Sequence, residues 1–405
     1  MSSAIVWFRK CLRLHDNPAL SWACESEEVN SILPVFIIDE ELDNEKSSGF
    51  GFNRMRFLVQ SLRDLNDSME KELGLQLKII KGSYLDSIKD VVKHLGEDVS
   101  YIAYDYCSEP WSLSVSADIT NWGSSEKMHP ESKVFAATHT LLDIERTLAS
   151  EKYSRPNSMR DMERIFRGQF GTDEFGFYDI GGPLPVPAGT KPMAPMAPLG
   201  TEVSISDLEE YLFHRYPSRM QEYHHFPGGE TVALERLSAK VMGKEDYVNN
   251  FRKPKTCSTN LDEDPLEPST TGLSPYLSTG CLSIRTVWHE CRKSYLAGEH
   301  SQPPESLHGQ MMFREMFYLL SRSVANWDMD TGNESCKEIH WDEFDPDLVG
   351  PWESGMTGYP YIDAMMRQLD GTGWMHHLGR HAVSCFLTRG QLWQNWTVGR
   401  DVFER

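Results

Sequence analysis

Apolar residues in the first third of the chain come in short runs rich in β-branched and aromatic side chains. Five such runs occupy residues 4–8 (AIVWF), 32–39 (ILPVFIID), 75–81 (LQLKIIK), 99–105 (VSYIAYD) and 133–138 (KVFAAT). Runs of this length and composition predict β-strands. Because long stretches separate them, the strands are expected to pair in parallel through crossover connections. The pattern predicts a parallel β-sheet.

Two of the intervening stretches, residues 54–65 and 84–95, carry apolar side chains three or four positions apart. That spacing predicts helices with one apolar face, as in the crossovers of a Rossmann-like βαβ domain. We assign this domain to residues 1–140. Neither a GxGxxG nor a GxxxxGK[ST] motif follows any predicted strand, so the sheet domain by itself indicates no nucleotide.

The pattern changes after residue 140. Residues 181–198 (GGPLPVPAGTKPMAPMAP) are rich in Pro and Gly and lack periodicity, which predicts a loop, and residues 253–268 form an acidic, linker-like stretch. From residue 204 onward, apolar residues recur at helical spacing. We therefore predict a connector over residues 141–203 and a mainly α-helical domain over residues 204–405, which makes the fold class α/β plus all-α.

Charge and cysteine content narrow the classes of protein. Sixty acidic against 40 basic residues give a net charge of -20, which argues against a surface that attracts nucleic acid everywhere but leaves a local basic groove open. The eight cysteines form no CxxC pair, so neither a zinc ribbon nor a disulfide framework is indicated and a reducing compartment is favoured. No secretory signal and no apolar run of 18 residues occurs, so no membrane association is expected.

Residues 373–396 (GWMHHLGRHAVSCFLTRGQLWQNW) place three histidines, two arginines and three tryptophans in an otherwise apolar, helix-compatible run. His377, Arg380, His381 and Ser384 recur at spacings of three and four, so they project from one helical face. A polar stripe in an apolar helix indicates a polar ligand, although purely structural histidines are the alternative. The HxxxH spacing lacks the glutamate or cysteine partners of a zinc site, and we predict no metal.

Two loops precede predicted helices in the second half. Residues 226–231 (FPGGET) pair two glycines with a helix start, and residues 268–274 (PSTTGLS) place hydroxyls where a phosphate binds at a helix N-terminus. Ordinary helix capping explains both equally well. Further along, Gln310 and Arg314 share one helical face, and a buried Arg314 needs an acidic partner, either Glu315 or another carboxylate.

Six motifs in order along the chain resemble those of the photolyase and cryptochrome flavoproteins, specifically the animal-like cryptochrome and (6-4) photolyase branch. They are IVWFRKCLRLHDNPAL, FPGGET, STTGLSPYL with TGCLS, GQMMFRE, TGYPYIDAMMRQL and HHLGRHAVSCFLTRGQLW. The resemblance spans essentially the whole chain. It implies a photolyase-type α/β domain followed by a helical domain that binds flavin adenine dinucleotide (FAD), with a possible second antenna chromophore of unknown identity.

The resemblance also implies roles for individual residues. The FAD pyrophosphate is expected at Thr270, Thr271, Gly272, Leu273 and Ser274, and the flavin pocket is expected to be lined by Gln310, Arg314, His377 and Arg380. His377 and His381 match the two histidines that (6-4) repair enzymes place over the photoproduct. Trp341 and Trp396 match members of the family's electron-transfer chain, and Trp393 resembles a further, surface-side tryptophan.

Two departures from the family pattern shape our expectations. Phe313 stands where the family has a tryptophan near the mouth of the pocket. The sequence ends at Arg405, before the family's flavin-facing aspartates and flavin-proximal tryptophan, so we expect a C-terminally truncated domain that binds flavin weakly if these 405 residues are the whole protein.

The resemblance leaves three functions open. The first is a blue-light cryptochrome, a photoreceptor or circadian clock component that works by flavin photoreduction with clock or signalling proteins as partners, in the nucleus and cytoplasm. The second is a (6-4) DNA photolyase that acts on UV-damaged DNA. The third is a truncated gene product without independent activity.

Overall fold

A computed structural model describes residues 2–39, 50–96, 99–125, 130–189, 191–193, 198–220, 225–253 and 267–405. Within these ranges, a six-stranded sheet has the strand order β5-β4-β1-β2-β3-β6. Its strands are β1 (Ser3–Phe8), β2 (Ser31–Ile38), β3 (Lys78–Lys81), β4 (Val99–Asp105), β5 (Glu131–Phe135) and β6 (Glu202–Val203). Strands β1 to β5 pair in parallel and β6 is antiparallel to β3. The predicted parallel sheet is confirmed.

Two strands differ from their predicted positions. The fifth was predicted at residues 133–138 but lies at Glu131–Phe135, because Ala137 turns the backbone to a φ of 53° and the Thr138 hydroxyl donates to the Phe135 carbonyl. The short β6 comes from the predicted connector, where its Glu202 pairs with Lys78 of β3 at 2.7 Å. A strand of only two residues leaves little trace in a hydrophobic pattern.

The helices fill the crossovers and supply the regular structure of the second half. They are α1 (Pro18–Glu25), α2 (Phe52–Leu73), α3 (Tyr84–Leu95), α4 (Pro110–Ser125), α5 (Ile144–Leu148), α6 (Met159–Phe170), α7 (Ile205–Arg215), α8 (Glu230–Lys240), α9 (Glu245–Asn250), α10 (Ser274–Thr279), α11 (Ile284–Leu296), α12 (Leu307–Ser323), α13 (Pro346–Glu353), α14 (Pro360–Thr372), α15 (His377–Cys385) and α16 (Trp396–Glu404). Both predicted crossover helices are present, as α2 and α3. Helices α5 and α6 lie within the predicted connector, and most of the acidic stretch at residues 253–268 lies outside the described residues.

Three apolar cores hold these elements together. One face of the sheet packs on α3 and α4 around Trp7, Ile88 and Ile119. The other face packs on α1 and α2 in a core that continues into α8, α11 and α12. A third core joins α13, α14 and α15 around the fully buried Trp352. The shared second core means that the sheet and the helical half bury apolar surface against each other.

Buried charges connect the loop after β1 to the helical half. The guanidinium of Arg13, 1% exposed, donates to the carbonyls of Thr138 and Gly280 at 2.9 Å each. The fully buried Asp16 accepts two hydrogen bonds from Arg285 at 2.8 and 3.0 Å. Glu230, at the start of α8, accepts from the backbone N–H of Leu14 at 2.6 Å. Each buried charge has a partner across the boundary, so these contacts fix the two halves in register.

Candidate functional site

The hydroxyl-rich loop before α10 bends tightly around an arginine. Gly272 has a φ of +62°, and a Cβ there would lie 2.3 Å from Nη2 of Arg236. Arg236 reaches the loop from α8, donating from Nε to the Thr271 carbonyl at 2.9 Å and pairing with Glu267 at 2.7 Å. Glycine is required at this position both for its backbone conformation and for the space.

Two cationic side chains next to this loop, Arg236 and Lys240, share one carboxylate, that of Glu267. Lys240 also pairs with Glu267, at 2.5 Å, and His225 donates to the same carboxylate. Burial raises the pKa of Glu267, but its bonds to Lys240 and to Arg236 outweigh burial and hold the pKa below its ordinary value. The loop therefore lies in a region of positive potential that suits an anion.

The predicted phosphate-binding residues are spread along this loop. Thr270 and Thr271 are half-buried, Leu273 is buried, and Ser274 is exposed as the first residue of α10. Within the described parts of the chain, the hydroxyls of Thr270, Thr271 and Ser274 make no hydrogen bond to protein. These donors remain for a ligand.

Helix α15 presents its predicted polar stripe outward. Gly379 and Val383 are buried on the inner face, whereas His377 and His381 are exposed and Ser384 is half-buried. The helix-compatible run over residues 373–396 contains more than one element. A π-helical turn, Phe386–Gly390, follows α15 and contains a non-helical residue, so the run breaks before the tryptophans.

Arg380 lies between the two histidines, and burial lowers its pKa. Its Nε donates to the Met375 carbonyl at 3.2 Å, and its guanidinium lies 5.6 Å from the Phe403 ring centroid. No carboxylate of the described residues pairs with it. A half-buried cation without a counter-ion is a further feature that suits a negatively charged ligand.

An aromatic bridge joins the start of α15 to the loop. The rings of Trp374 and Phe226 lie 6.3 Å apart, and the Arg236 guanidinium lies 4.8 Å from the centroid of Phe226. The predicted loop and the predicted helix therefore flank one region of the molecule. Phe226 belongs to the candidate loop FPGGET, whereas Arg236 and Glu267 were not predicted as site residues, although Arg236 could have been found from its position on the α8 helix that follows this loop.

Gln310 and Arg314 of α12 point to protein partners. Gln310 donates to the Pro304 carbonyl at 2.9 Å. Arg314 donates to the carbonyls of His139 at 2.6 Å and Leu277 at 3.3 Å, and pairs with Glu315 at 3.2 Å. The predicted acidic partner of Arg314 is thus confirmed as Glu315. Since Leu277 belongs to α10, Arg314 supports the helix behind the loop.

Two of the three predicted electron-transfer tryptophans, Trp393 and Trp396, follow the π-helical turn in the chain, and Trp341 precedes α13. The rings of Trp341 and Trp393 are 5.5 Å apart, and Trp393 is 40% exposed. Trp393 has a φ of +53°, and its indole N–H donates to the His340 carbonyl at 2.9 Å. Trp396 is half-buried at the start of α16 with Arg400 above its ring. The rings of Trp341 and Trp393 are thus in contact, and the pair reaches the surface at Trp393.

Metal-binding clusters and membrane-spanning helices are both absent from the described residues. No three His, Cys, Asp or Glu side chains within those ranges converge as a metal site requires. In the same part of the chain, none of the helices is long and apolar enough to cross a bilayer.

The fold and the site define a protein with a parallel-sheet domain, a helical domain and a positively charged region suited to an anionic cofactor. Residues 4–172 match the family DNA photolyase, and residues 306–405 match the FAD binding domain of DNA photolyase. The chain is 36% identical to the (6-4)DNA photolyase of Arabidopsis thaliana, with 100% of this chain and 70% of that protein covered. It belongs to the photolyase and cryptochrome family.

Relatives of both functional types are similar to this chain. Cryptochrome-1 of Gallus gallus is 34% identical, with 99% of this chain and 61% of that protein covered. Among solved structures, a Synechocystis cryptochrome matches with a TM-score of 0.80 at 24% identity, covering 100% of this chain and 78% of that one. The chain thus spans less than two thirds of the animal cryptochrome and somewhat more of the plant photolyase.

FAD is the cofactor of the family domain that residues 306–405 match. The residues present fit it on three observations. Gly272 lets the guanidinium of Arg236 lie directly against the loop, the loop hydroxyls have no described protein partner, and Arg380 is a half-buried cation without a described counter-ion. A diphosphate needs donors of these kinds.

Proposed function

We propose that this chain is the light-sensing part of a cryptochrome, a blue-light photoreceptor that works through flavin photoreduction. Bound FAD supplies the absorption of blue light and the acceptor for an electron. The observation that carries the choice of receptor over enzyme is the net charge of -20, which repels the phosphate backbone of DNA. Phe313 in place of the family's tryptophan supports the same choice.

The chain's own residues then have three tasks. The loop of Thr270 to Ser274 and the Arg236 beside it hold the diphosphate, and Arg380 supplies positive charge near the flavin. Trp341 and Trp393, with rings 5.5 Å apart, provide a donor path to solvent. Trp396 is the further member that we place in this path.

Illumination of the FAD-loaded chain tests the proposal. Blue light is expected to bleach the oxidised-flavin absorbance near 450 nm, and the same sample is expected to leave a (6-4) lesion in an oligonucleotide unrepaired. The second measurement is decisive. Light-dependent repair of that lesion would overturn the receptor proposal.

The second candidate is a (6-4) DNA photolyase, and the exposed pair His377 and His381 favours it. The two side chains are four residues apart on the outer face of α15, where a flipped-out base has access to them. One of them would then donate a proton to the lesion. If this function is correct, Phe313→Trp is expected to tighten binding of lesion-containing DNA, and His381→Ala is expected to abolish repair without changing the flavin spectrum.

The cellular setting follows from the receptor proposal. We place the protein in the nucleus and cytoplasm, with clock or signalling proteins as partners, because the cryptochrome relatives support a signalling role. A second antenna chromophore is supported by one structural neighbour, an archaeal photolyase from Sulfolobus tokodaii solved with two FAD molecules. Fluorescence microscopy of the tagged protein before and after blue light tests the localisation.

A further inference from the structure

Helix α15 begins with an unusual cap. Helices are normally capped by Ser, Thr, Asp or Asn, whose side-chain oxygen accepts from the first turn of backbone N–H groups. Here the N-cap is His376, and its Nδ1 accepts from the backbone N–H of Leu378 at 3.1 Å. Its carbonyl accepts the first helical hydrogen bond, from Arg380 at 3.0 Å. An imidazole nitrogen replaces the usual oxygen.

This cap depends on the protonation state of the ring. Nδ1 accepts a hydrogen bond only when it carries no proton, which requires the neutral tautomer with its proton on Nε2. Protonation makes both nitrogens donors, so it removes the acceptor. It also adds a positive charge at the end of α15 where the helix dipole is already positive. Both effects disfavour the first turn of the helix.

The surroundings keep the ring neutral. Burial, followed by the proximity of His377, lowers the pKa of His376 below its ordinary value. Several other titratable or charged groups lie on α15 and on the elements packed near it. They are Arg380 and His381 on α15, Arg367 and Asp370 on α14, and His225, Arg236 and Glu267 around Phe226. None of these groups contributes to the lowering of the His376 pKa. Burial and His377 are its two causes, and the charge on the ring then depends on the pH of the solvent.

We propose that His376 is a pH-responsive N-cap and a positioning residue for the histidine pair of α15. The neutral ring fixes the first turn, and this turn sets the direction of His377 and the spacing of one helical turn to His381. Acid loosens the turn and with it the placement of both side chains. The inference rests on the second candidate function only where that function gives His377 and His381 a task; the cap itself does not depend on that task.

NMR of the full chain labelled with ¹⁵N-histidine tests the cap directly. At pH 7.5, His376 is expected to show an unprotonated Nδ1 and a protonated Nε2, with its signal assigned by its loss in His376→Asn. A proton on Nδ1 at this pH would overturn the proposal. The measurement needs neither FAD nor DNA, so its failure is distinct from failure of the proposed function.

Amide hydrogen exchange tests the pH response. After division by the intrinsic exchange rates, protection of the Leu378 and Gly379 amides is expected to fall about fivefold from pH 7.5 to pH 5.5, the effect of losing one cap. Asparagine accepts the same bond without titrating, so His376→Asn is expected to hold protection constant. His376→Ala is expected to lower it about fivefold at both pH values. An unchanged pH response in His376→Asn would refute the role of this residue.

Discussion

Gly272 shows how one residue shapes the candidate site. Its φ of +62° costs a residue with a side chain about 1 kcal/mol. Its second constraint is spatial, because Nη2 of Arg236 lies 2.3 Å from the position of a Cβ, and bonds to Thr271 and Glu267 hold that guanidinium in place. A side chain here has to displace the loop or the arginine.

We therefore predict that Gly272→Ala weakens FAD retention about tenfold, a change of about 1.4 kcal/mol. Gly74→Ala is the matched control, because Gly74 has the same φ of +62° with nothing within 4 Å of its added Cβ. It is expected to lose backbone stability but no FAD. Equilibrium dialysis of both variants checks this, and equal loss of FAD from the two would attribute the effect to backbone strain.

His308 gives the protein an acid-sensitive core. Its ring stacks on Trp288 with centroids 3.6 Å apart, and its Nε2–H donates to the Trp288 carbonyl at 3.0 Å. Burial lowers the pKa of His308 to about 3. Because the folded state holds the neutral ring, its contribution to stability is complete above the unfolded pKa of about 6.5 and is lost as the pH falls towards 3.

At pH 5 this loss is expected to reach about 2 kcal/mol of the free energy of unfolding. His308→Phe keeps a ring on Trp288 without a titrating group. It is expected to cost about 1 kcal/mol at pH 7 for the lost hydrogen bond and to have a shallower dependence on pH. Urea unfolding at pH 7 and pH 5 checks this, with the exposed His214→Gln as control; wild-type behaviour of His308→Phe would contradict it.

At the scale of elements, the chain segment after β1 locks the sheet to the helical half. Arg13 donates to four carbonyls, those of His15, Asp16, Thr138 and Gly280, at 2.8 to 3.0 Å. The ammonium group of lysine is compact and does not reach four acceptors arranged around a planar guanidinium. The carbonyls left behind would be buried without partners.

Arg13→Lys is therefore expected to lower the free energy of unfolding by about 3 kcal/mol. The exposed Arg146→Lys is expected to change it by less than about 0.5 kcal/mol. Thermal unfolding followed by circular dichroism compares the two. A similar melting temperature for both variants would mean that the buried guanidinium does not hold the halves together.

The elements also show which bounds the sequence predicts well and which it does not predict. The strands at residues 4–8 and 99–105 were predicted almost to the residue, because both lie in the centre of a parallel sheet and consist mainly of buried apolar and aromatic residues. The run at residues 373–396 was predicted only as helix-compatible. Its break lies in the π-helical turn, where Thr388 has a non-helical φ of -92° and ψ of -113°, and Trp393 follows with a φ of +53°. Bulky residues rarely adopt a positive φ, and no local pattern indicates it.

The candidate site shows the same division. The loop at residues 268–274 and the helix at His377 were found because glycine, hydroxyl and histidine spacings are local signals. The ion pair of Arg236 with Glu267 joins residues 31 positions apart, and the ring of Phe226 contacts Trp374 across 148 positions. Contacts at such separations come from tertiary packing, so a single sequence does not reveal them.

At the scale of the whole molecule, the proposed function requires an electron to cross from solvent to the cofactor region. Trp393 is placed for the outer end of such a path, because its ring is 40% exposed and lies 5.5 Å from the ring of Trp341. Two hydrogen bonds hold Trp393 in its left-handed backbone conformation. Its indole N–H donates to the His340 carbonyl, and the backbone N–H of Asp342 donates to the Trp393 carbonyl. A strained residue that its neighbours fix in this way is a candidate for function.

We predict that Trp393→Phe slows photoreduction of bound FAD by about tenfold or more, since phenylalanine is much harder to oxidise than tryptophan yet fills a similar space. Trp396→Phe is expected to act in the same direction. The control is Trp111→Phe, which removes an indole of nearly equal exposure, 42%, from the sheet domain and is expected to leave the rate unchanged. Absorbance at 450 nm under blue light with a thiol reductant gives the rate. If Trp393→Phe and Trp111→Phe reduce at the wild-type rate, electrons reach the flavin by a route that avoids the Trp341–Trp393 pair.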